Sequence, residues 1–148
     1  MIAMTFNDIL HKFRSESFTQ KDKGTQFERL MRSWLLSDPR YSNLTKVWLW
    51  DDFPSRADLG GKDTGIDLVA RTEEGDYWAI QCKCYKEDSV IDKPAVDSFL
   101  ATSSRQFKDP ETLQTTSFAK RMWISTTNHW GKNAEDAIQN QKDRKSVV

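Results

Sequence analysis

Gly65-Ile66-Asp67-Leu68-Val69-Ala70 and Tyr77-Trp78-Ala79-Ile80-Gln81-Cys82-Lys83-Cys84-Tyr85, joined by Glu73-Glu74-Gly75-Asp76, decide how this chain folds. Both outer segments are rich in β-prone residues, and the acidic, glycine-bearing link between them is turn chemistry, so they are expected to pair as an antiparallel hairpin. If the hairpin turns about Glu74, residues whose numbers sum to about 148 face each other, which sets Asp67 opposite Gln81. Period-two alternation adds Lys83 to the same face and sends Ile80, Cys82 and Cys84 to the other. A carboxylate, an amide and an ammonium should therefore converge beside a glycine-bearing loop.

Around this hairpin the periodicity changes. Phe6, Ile9, Leu10 and Phe13 predict a first short helix after Thr5, and Phe27, Leu30, Met31, Trp34 and Leu35 predict a second from about 25 to 36, stopped by Ser37-Asp38-Pro39. Val47-Trp48-Leu49-Trp50 reads as a strand, followed by a polar loop from Asp51 to Thr64. Asp92 is placed to cap a helix carrying Pro94 in its first turn and Val96, Phe99 and Leu100 on its inner face. A polar connection, a strand from Phe118 to Thr126 and a last helix near Asn128, packed through Ala134, Ala137 and Ile138, complete an α/β order with a mixed sheet flanked by helices. Residues 1–140 are expected to form the domain, and the polar run from 141 to 148 the start of a linker.

The composition fits one globular domain: 148 residues, 37% hydrophobic and 30% charged. Lys+Arg and Asp+Glu number 22 each, which argues against a freestanding, indiscriminate nucleic-acid binder but does not exclude a DNA enzyme whose acidic site offsets a basic face. Two cysteines make no disulfide framework and indicate a reducing compartment, and no segment is long and apolar enough for a membrane span. A cytoplasmic protein is expected.

The hairpin trio suits metal-dependent phosphodiester hydrolysis. Mg²⁺ takes oxygen ligands and keeps several waters, so Asp67, the Gln81 amide oxygen and the Cys82 backbone carbonyl suffice beside a phosphate oxygen, with Mn²⁺ as a substitute. Lys83 is placed to orient the attacking water and to stabilise charge on the phosphorane. The competing reading is a half-exposed sheet whose polar residues simply face solvent. Arg56 and Lys62 before the site, and Lys86 and Lys93 after it, are candidates for DNA phosphates or a solvated rim. His11 and His129 have no metal-spaced partner, the cysteines fit buried thiols, and Gly60-Gly61-Lys62 lacks phosphate-loop spacing, so no ATP site is expected in this chain.

Gly65-Ile66-Asp67, thirteen residues, then Gln81-Cys82-Lys83 resembles the G-x-D…Q-x-K variant of the PD-(D/E)XK motif of Mrr-like restriction endonucleases. With Asp22 to Leu30, Val47 to Trp50, Asp63 to Ala70, Ile91 to Leu100 and Asn133 to Glu135, the likeness covers nearly the whole chain and is to the N-terminal nuclease domain of Type ISP restriction-modification enzymes. It implies a restriction-endonuclease-like αβββαβ core with an extra N-terminal helix, in a prokaryotic cytoplasm. The implied function is Mg²⁺-dependent cleavage or nicking of double-stranded DNA with little sequence specificity of its own. A helicase-like ATPase, a methyltransferase and a target-recognition domain would direct it, with ATP used only by the separate motor. The alternative is a catalytically silent nuclease-like module that docks DNA or a partner.

Members of the superfamily often place a helix glutamate near the metal, which brings in Glu28. Thr25 with Glu28 equally fits a capping box, and Glu28 with Arg32 an i,i+4 ion pair. Gln81 stands where Glu is commoner in the motif, so Glu28 or Asp63 is a further candidate for holding the metal.

Overall fold

A computed structural model describes residues 11, 13, 20–61, 64–83, 90–125 and 145–147 of the chain. Helix α1 (Gln20–Ser37) is followed by strands β1 (Leu44–Leu49), β2 (Leu68–Thr72) and β3 (Tyr77–Lys83). Helix α2 (Lys93–Ser103), the short strands β4 (Phe107–Lys108) and β5 (Thr115–Thr116), and strands β6 (Phe118–Ser125) and β7 (Lys145–Val147) complete the described elements. The main sheet runs β1-β2-β3-β6-β7. Its first three strands are antiparallel, while β3 and β6 pair in parallel, as do β6 and β7. A parallel neighbour requires a crossover, and α2 lies in the connection between β3 and β6.

Two apolar clusters cover the two faces of this sheet. Phe27, Met31, Trp34 and Leu35 of α1 meet Ala70, Trp78, Ile80 and Met122 on one face. Val96, Phe99 and Leu100 of α2 meet Val69, Tyr77, Ala79 and Trp123 on the other. Strand β3 is consequently buried from Tyr77 through Cys82, with Lys83 half-buried at its exit. A central strand covered on both sides leaves its C-terminal end as the place where polar side chains can reach solvent.

The β2–β3 register pairs Leu68 with Ile80, Val69 with Ala79, Ala70 with Trp78 and Arg71 with Tyr77, each pair summing to the expected 148. Asp92 caps α2 by accepting from the Ala95 N–H at 3.2 Å. Other boundaries differ from expectation. Helix α1 begins at Gln20, not near 25, because Gly24 costs only ~1 kcal/mol inside a helix that tertiary packing holds. Strand β1 ends at Leu49, and Trp50–Asp52 turns as a 3₁₀ helix in which Phe53 N–H donates to the Trp50 carbonyl. Gly65, Ile66 and Asp67 precede β2 instead of opening it.

The connection after α2 holds the β4–β5 hairpin. Asp109 Oδ1 organises its turn, accepting from the Glu111 and Thr112 N–H groups at 2.8 and 3.2 Å and from the Tyr77 hydroxyl at 2.9 Å. Lys145–Val147 was expected in the linker, yet it supplies the edge strand β7; an edge strand needs backbone partners, not an apolar side-chain pattern. Of the predicted first helix, His11 and Phe13 are helical, with the Phe13 ring 5.6 Å from that of Phe27. The remainder of that helix and the whole predicted last helix lie outside the described residues. No described helix is long and apolar enough to cross a membrane.

Candidate active site

Asp67 is fixed from three directions. Its carbonyl accepts from the Trp50 N–H at 2.9 Å, its N–H donates to the Ile80 carbonyl at 2.9 Å, and its Oδ2 accepts from the Cys82 N–H at 2.9 Å. The regular β2–β3 ladder thus ends at Leu68, and the Asp67 side chain takes over a bond to β3. Two residues earlier, Gly65 adopts φ 76 and lies against α2, where an added Cβ would stand 3.0 Å from the Phe99 nitrogen. Glycine is needed there for the dihedral and for the close approach.

A cavity of about 440 Å³ opens at this point, lined by Glu28, Asp67, Gln81 and Lys83 among others. Glu28 comes from α1, Asp67 from the residues before β2, and Gln81 and Lys83 from β3. The local explanations for Glu28 do not describe its position. Thr25 lies inside α1 and so cannot be its N-cap, and Arg32 Nε donates to the Val47 carbonyl at 2.6 Å. Glu28 instead meets Asp67 side chain to side chain.

Burial, followed by the charge of Asp67 and the hydrogen bond to it, pushes the Glu28 carboxyl up to about 8; Asp51 adds to the rise and Lys83 opposes it. Burial also raises Asp67, against the Cys82 N–H, the bond to Glu28 and the charge of Lys83. Near neutral pH, Glu28 is therefore the protonated member of a carboxyl pair and donates to Asp67. Burial pushes the Cys82 thiol up as well, leaving it neutral under the site. Gln81 is 3% exposed, and among the described residues its Oε1 is buried without a hydrogen-bond partner.

These donors fit a hard divalent cation. Two carboxyl groups that share a proton and an amide oxygen with no partner form an oxygen set, of the kind Mg²⁺ or Mn²⁺ takes together with water. Among the described residues no three His, Cys, Asp or Glu side chains form a metal cage by themselves, so an ion here would depend on the Gln81 oxygen and on waters.

The remaining candidates are placed elsewhere. Arg56 is exposed and donates to the Phe53 carbonyl at 3.1 Å, and Lys93 pairs with Asp97 on the surface of α2. Asp63, Lys62 and Lys86 lie outside the described residues. Three polar residues not singled out in the sequence, Asp51, Thr64 and Ser98, line the cavity. A signal for Asp51 was available: it is an acid two residues after the strand whose end neighbours Asp67. Ser98 was legible only as a polar residue beside the apolar stripe of α2.

The Mrr_cat_2 model, described as a restriction endonuclease, matches residues 36–147. Among solved structures, the chain is similar to the ATP-dependent Type ISP restriction-modification enzyme LlaBIII bound to DNA, at 26% identity and TM-score 0.66 over 99% of this chain. It spans 8% of that enzyme's length. A repair endonuclease from Pyrococcus abyssi is similar at 9% identity and TM-score 0.48, over 90% of this chain and 49% of its own. No curated protein matches the chain.

Proposed function

We propose, given that this chain belongs to the Mrr_cat_2 restriction endonuclease family, that it is a Mg²⁺-dependent endonuclease module hydrolysing phosphodiester bonds of double-stranded DNA with little sequence preference of its own. The similarity to a Type ISP enzyme supports a setting in which an ATP-driven motor, a methyltransferase and a target-recognition domain decide where it cuts. The observation that carries the proposal is the convergence of the Glu28 and Asp67 carboxyl groups, the unpartnered Gln81 oxygen and Lys83 on one cavity.

In this reading Asp67, Glu28 and the Gln81 amide oxygen hold the cation, with the Cys82 backbone carbonyl as a further ligand. When bound, Mg²⁺ supplies Lewis-acid stabilisation of the negative charge on the attacked phosphate. To serve as a ligand, Glu28 would release its proton to solvent water, so that both carboxylates face the cation. Lys83, at the end of β3, orients the attacking water and neutralises charge that grows on the phosphoryl oxygens. The Cys82 N–H holds Asp67 in position throughout.

Nicking of supercoiled plasmid in Mg²⁺ tests this. Lys83→Ala is expected to lower the rate by about a hundredfold or more, the scale of losing one charge-stabilising donor. Wild-type-like nicking by that variant would overturn the assignment and favour a silent docking module.

Glu28→Gln should separate stability from activity. A carboxyl raised from 4.5 to about 8 contributes stability that is complete below pH 4.5 and is lost as the pH rises through 8. The amide removes that loss, so without divalent cations the variant's advantage in Tm should grow over this window. Allowing for screening of a half-exposed group, ~1–2 kcal/mol, or a few degrees, is expected at the alkaline end. Calorimetry should show weaker Mg²⁺ binding by the same variant, and a Tm below wild type at pH 8 would contradict the carboxyl pair.

A further inference from the structure

A second cavity of about 310 Å³ adjoins the active-site one, the two sharing Glu28, Trp50 and Asp51 in their walls. Thr25 and Arg29 of α1 and Asp52 are among the residues that line only the second. Arg29 follows Glu28 by one residue, about 100° around the helix, so a turn that directs Glu28 at Asp67 sets Arg29 on the neighbouring wall. Thr25 precedes Arg29 by four residues and shares its face, adding a hydroxyl donor. Each cavity thus has one cationic side chain, Lys83 in the first and Arg29 in the second. Among the described residues Arg29 has no ion pair.

We propose that Arg29, assisted by Thr25, binds the backbone phosphate flanking the one that Lys83 serves, so that the two cavities form a continuous track for the cleaved DNA strand. The assignment rests on the nuclease reading above. A guanidinium offers a planar fork of donors suited to phosphate, and it is exposed here at no cost in desolvation. Asp51 and Asp52 face the same cavity and oppose an anion, which makes the contact weak and gives the test its sign. A phosphate in this cavity is repelled by Asp52, whereas a metal ion would be attracted by it.

The test is binding of a short fluorescent duplex to the 148-residue chain at low salt with EDTA, repeated over a salt series. Arg29→Ala is expected to weaken binding roughly fivefold to tenfold, equally for unrelated sequences, and to reduce the salt slope by about 0.9, the value for one phosphate. Asp52→Asn is expected to tighten binding. An unchanged affinity and slope for Arg29→Ala overturns the Arg29 assignment alone, provided Lys83→Ala still impairs plasmid nicking. Weaker binding by Asp52→Asn overturns it too, since removing a negative charge from a phosphate track cannot weaken the hold on DNA. If the unaltered chain fails to bind the duplex, the nuclease reading falls together with it.

Discussion

Asp67→Asn is expected to reduce strand cleavage by about a thousandfold or more, the largest effect of any single substitution in the site. The change is isosteric. An asparagine oxygen can still accept from the Cys82 N–H, so the junction between β2 and β3 is retained, and a carboxylate whose charge is penalised by burial is replaced by a neutral amide. Tm without divalent cations should consequently equal or exceed that of the wild type. What disappears is the firmest negative charge of the oxygen set, since Gln81 is neutral and Glu28 carries the shared proton near pH 7. Single-turnover cleavage in Mg²⁺, with Mn²⁺ in parallel, measures the loss. Cleavage within tenfold of the wild type would remove Asp67 from the chemistry and leave the cavity without a metal-binding centre.

How the site could be read before its geometry was known follows from the range of the signals. Asp67, Gln81 and Lys83 share one hairpin, and a hairpin's register is set by its turn and by alternation, so thirteen intervening residues were enough to align them. Asp92 and Pro94 announced α2 in the same local manner. Glu28 was ambiguous because its local neighbours explained it equally well. Only the packing of α1 across the sheet, fixed by Phe27, Met31 and the Arg32 bond to Val47, turns it toward Asp67. Asp51 and Arg29 were not singled out for the same reason: what selects them is the meeting of a strand end, a helix face and a loop. Strands β4, β5 and β7 are two or three residues long, too short for any period to register.

Gly65→Ala is expected to cost roughly 2–5 kcal/mol, combining ~1–2 kcal/mol for an L-residue in the left-handed region with ~1–3 kcal/mol for overpacking. The Cβ would meet Phe99 N at 3.0 Å and Phe99 Cα at 3.2 Å, backbone atoms of α2 that a rotamer change cannot move. It would also meet Ser98 Oγ at 3.2 Å, so α2 or the segment carrying Asp67 must shift. For a chain of this size the loss corresponds to a fall in Tm on the order of 10 °C. Gly61 separates the two causes: it has a comparable φ of 74, but among the described residues an added Cβ there meets nothing within 4 Å. Gly61→Ala should therefore show only the dihedral cost, about 1–2 kcal/mol. Nicking by Gly65→Ala, assayed well below its Tm, should also fall, because the displaced segment carries the metal-binding carboxylate two residues on, whereas Gly61→Ala should keep most of its activity. Equal losses of Tm from the two substitutions would mean that contact with α2 adds nothing to the glycine's dihedral requirement, and that α2 does not hold Asp67 in place.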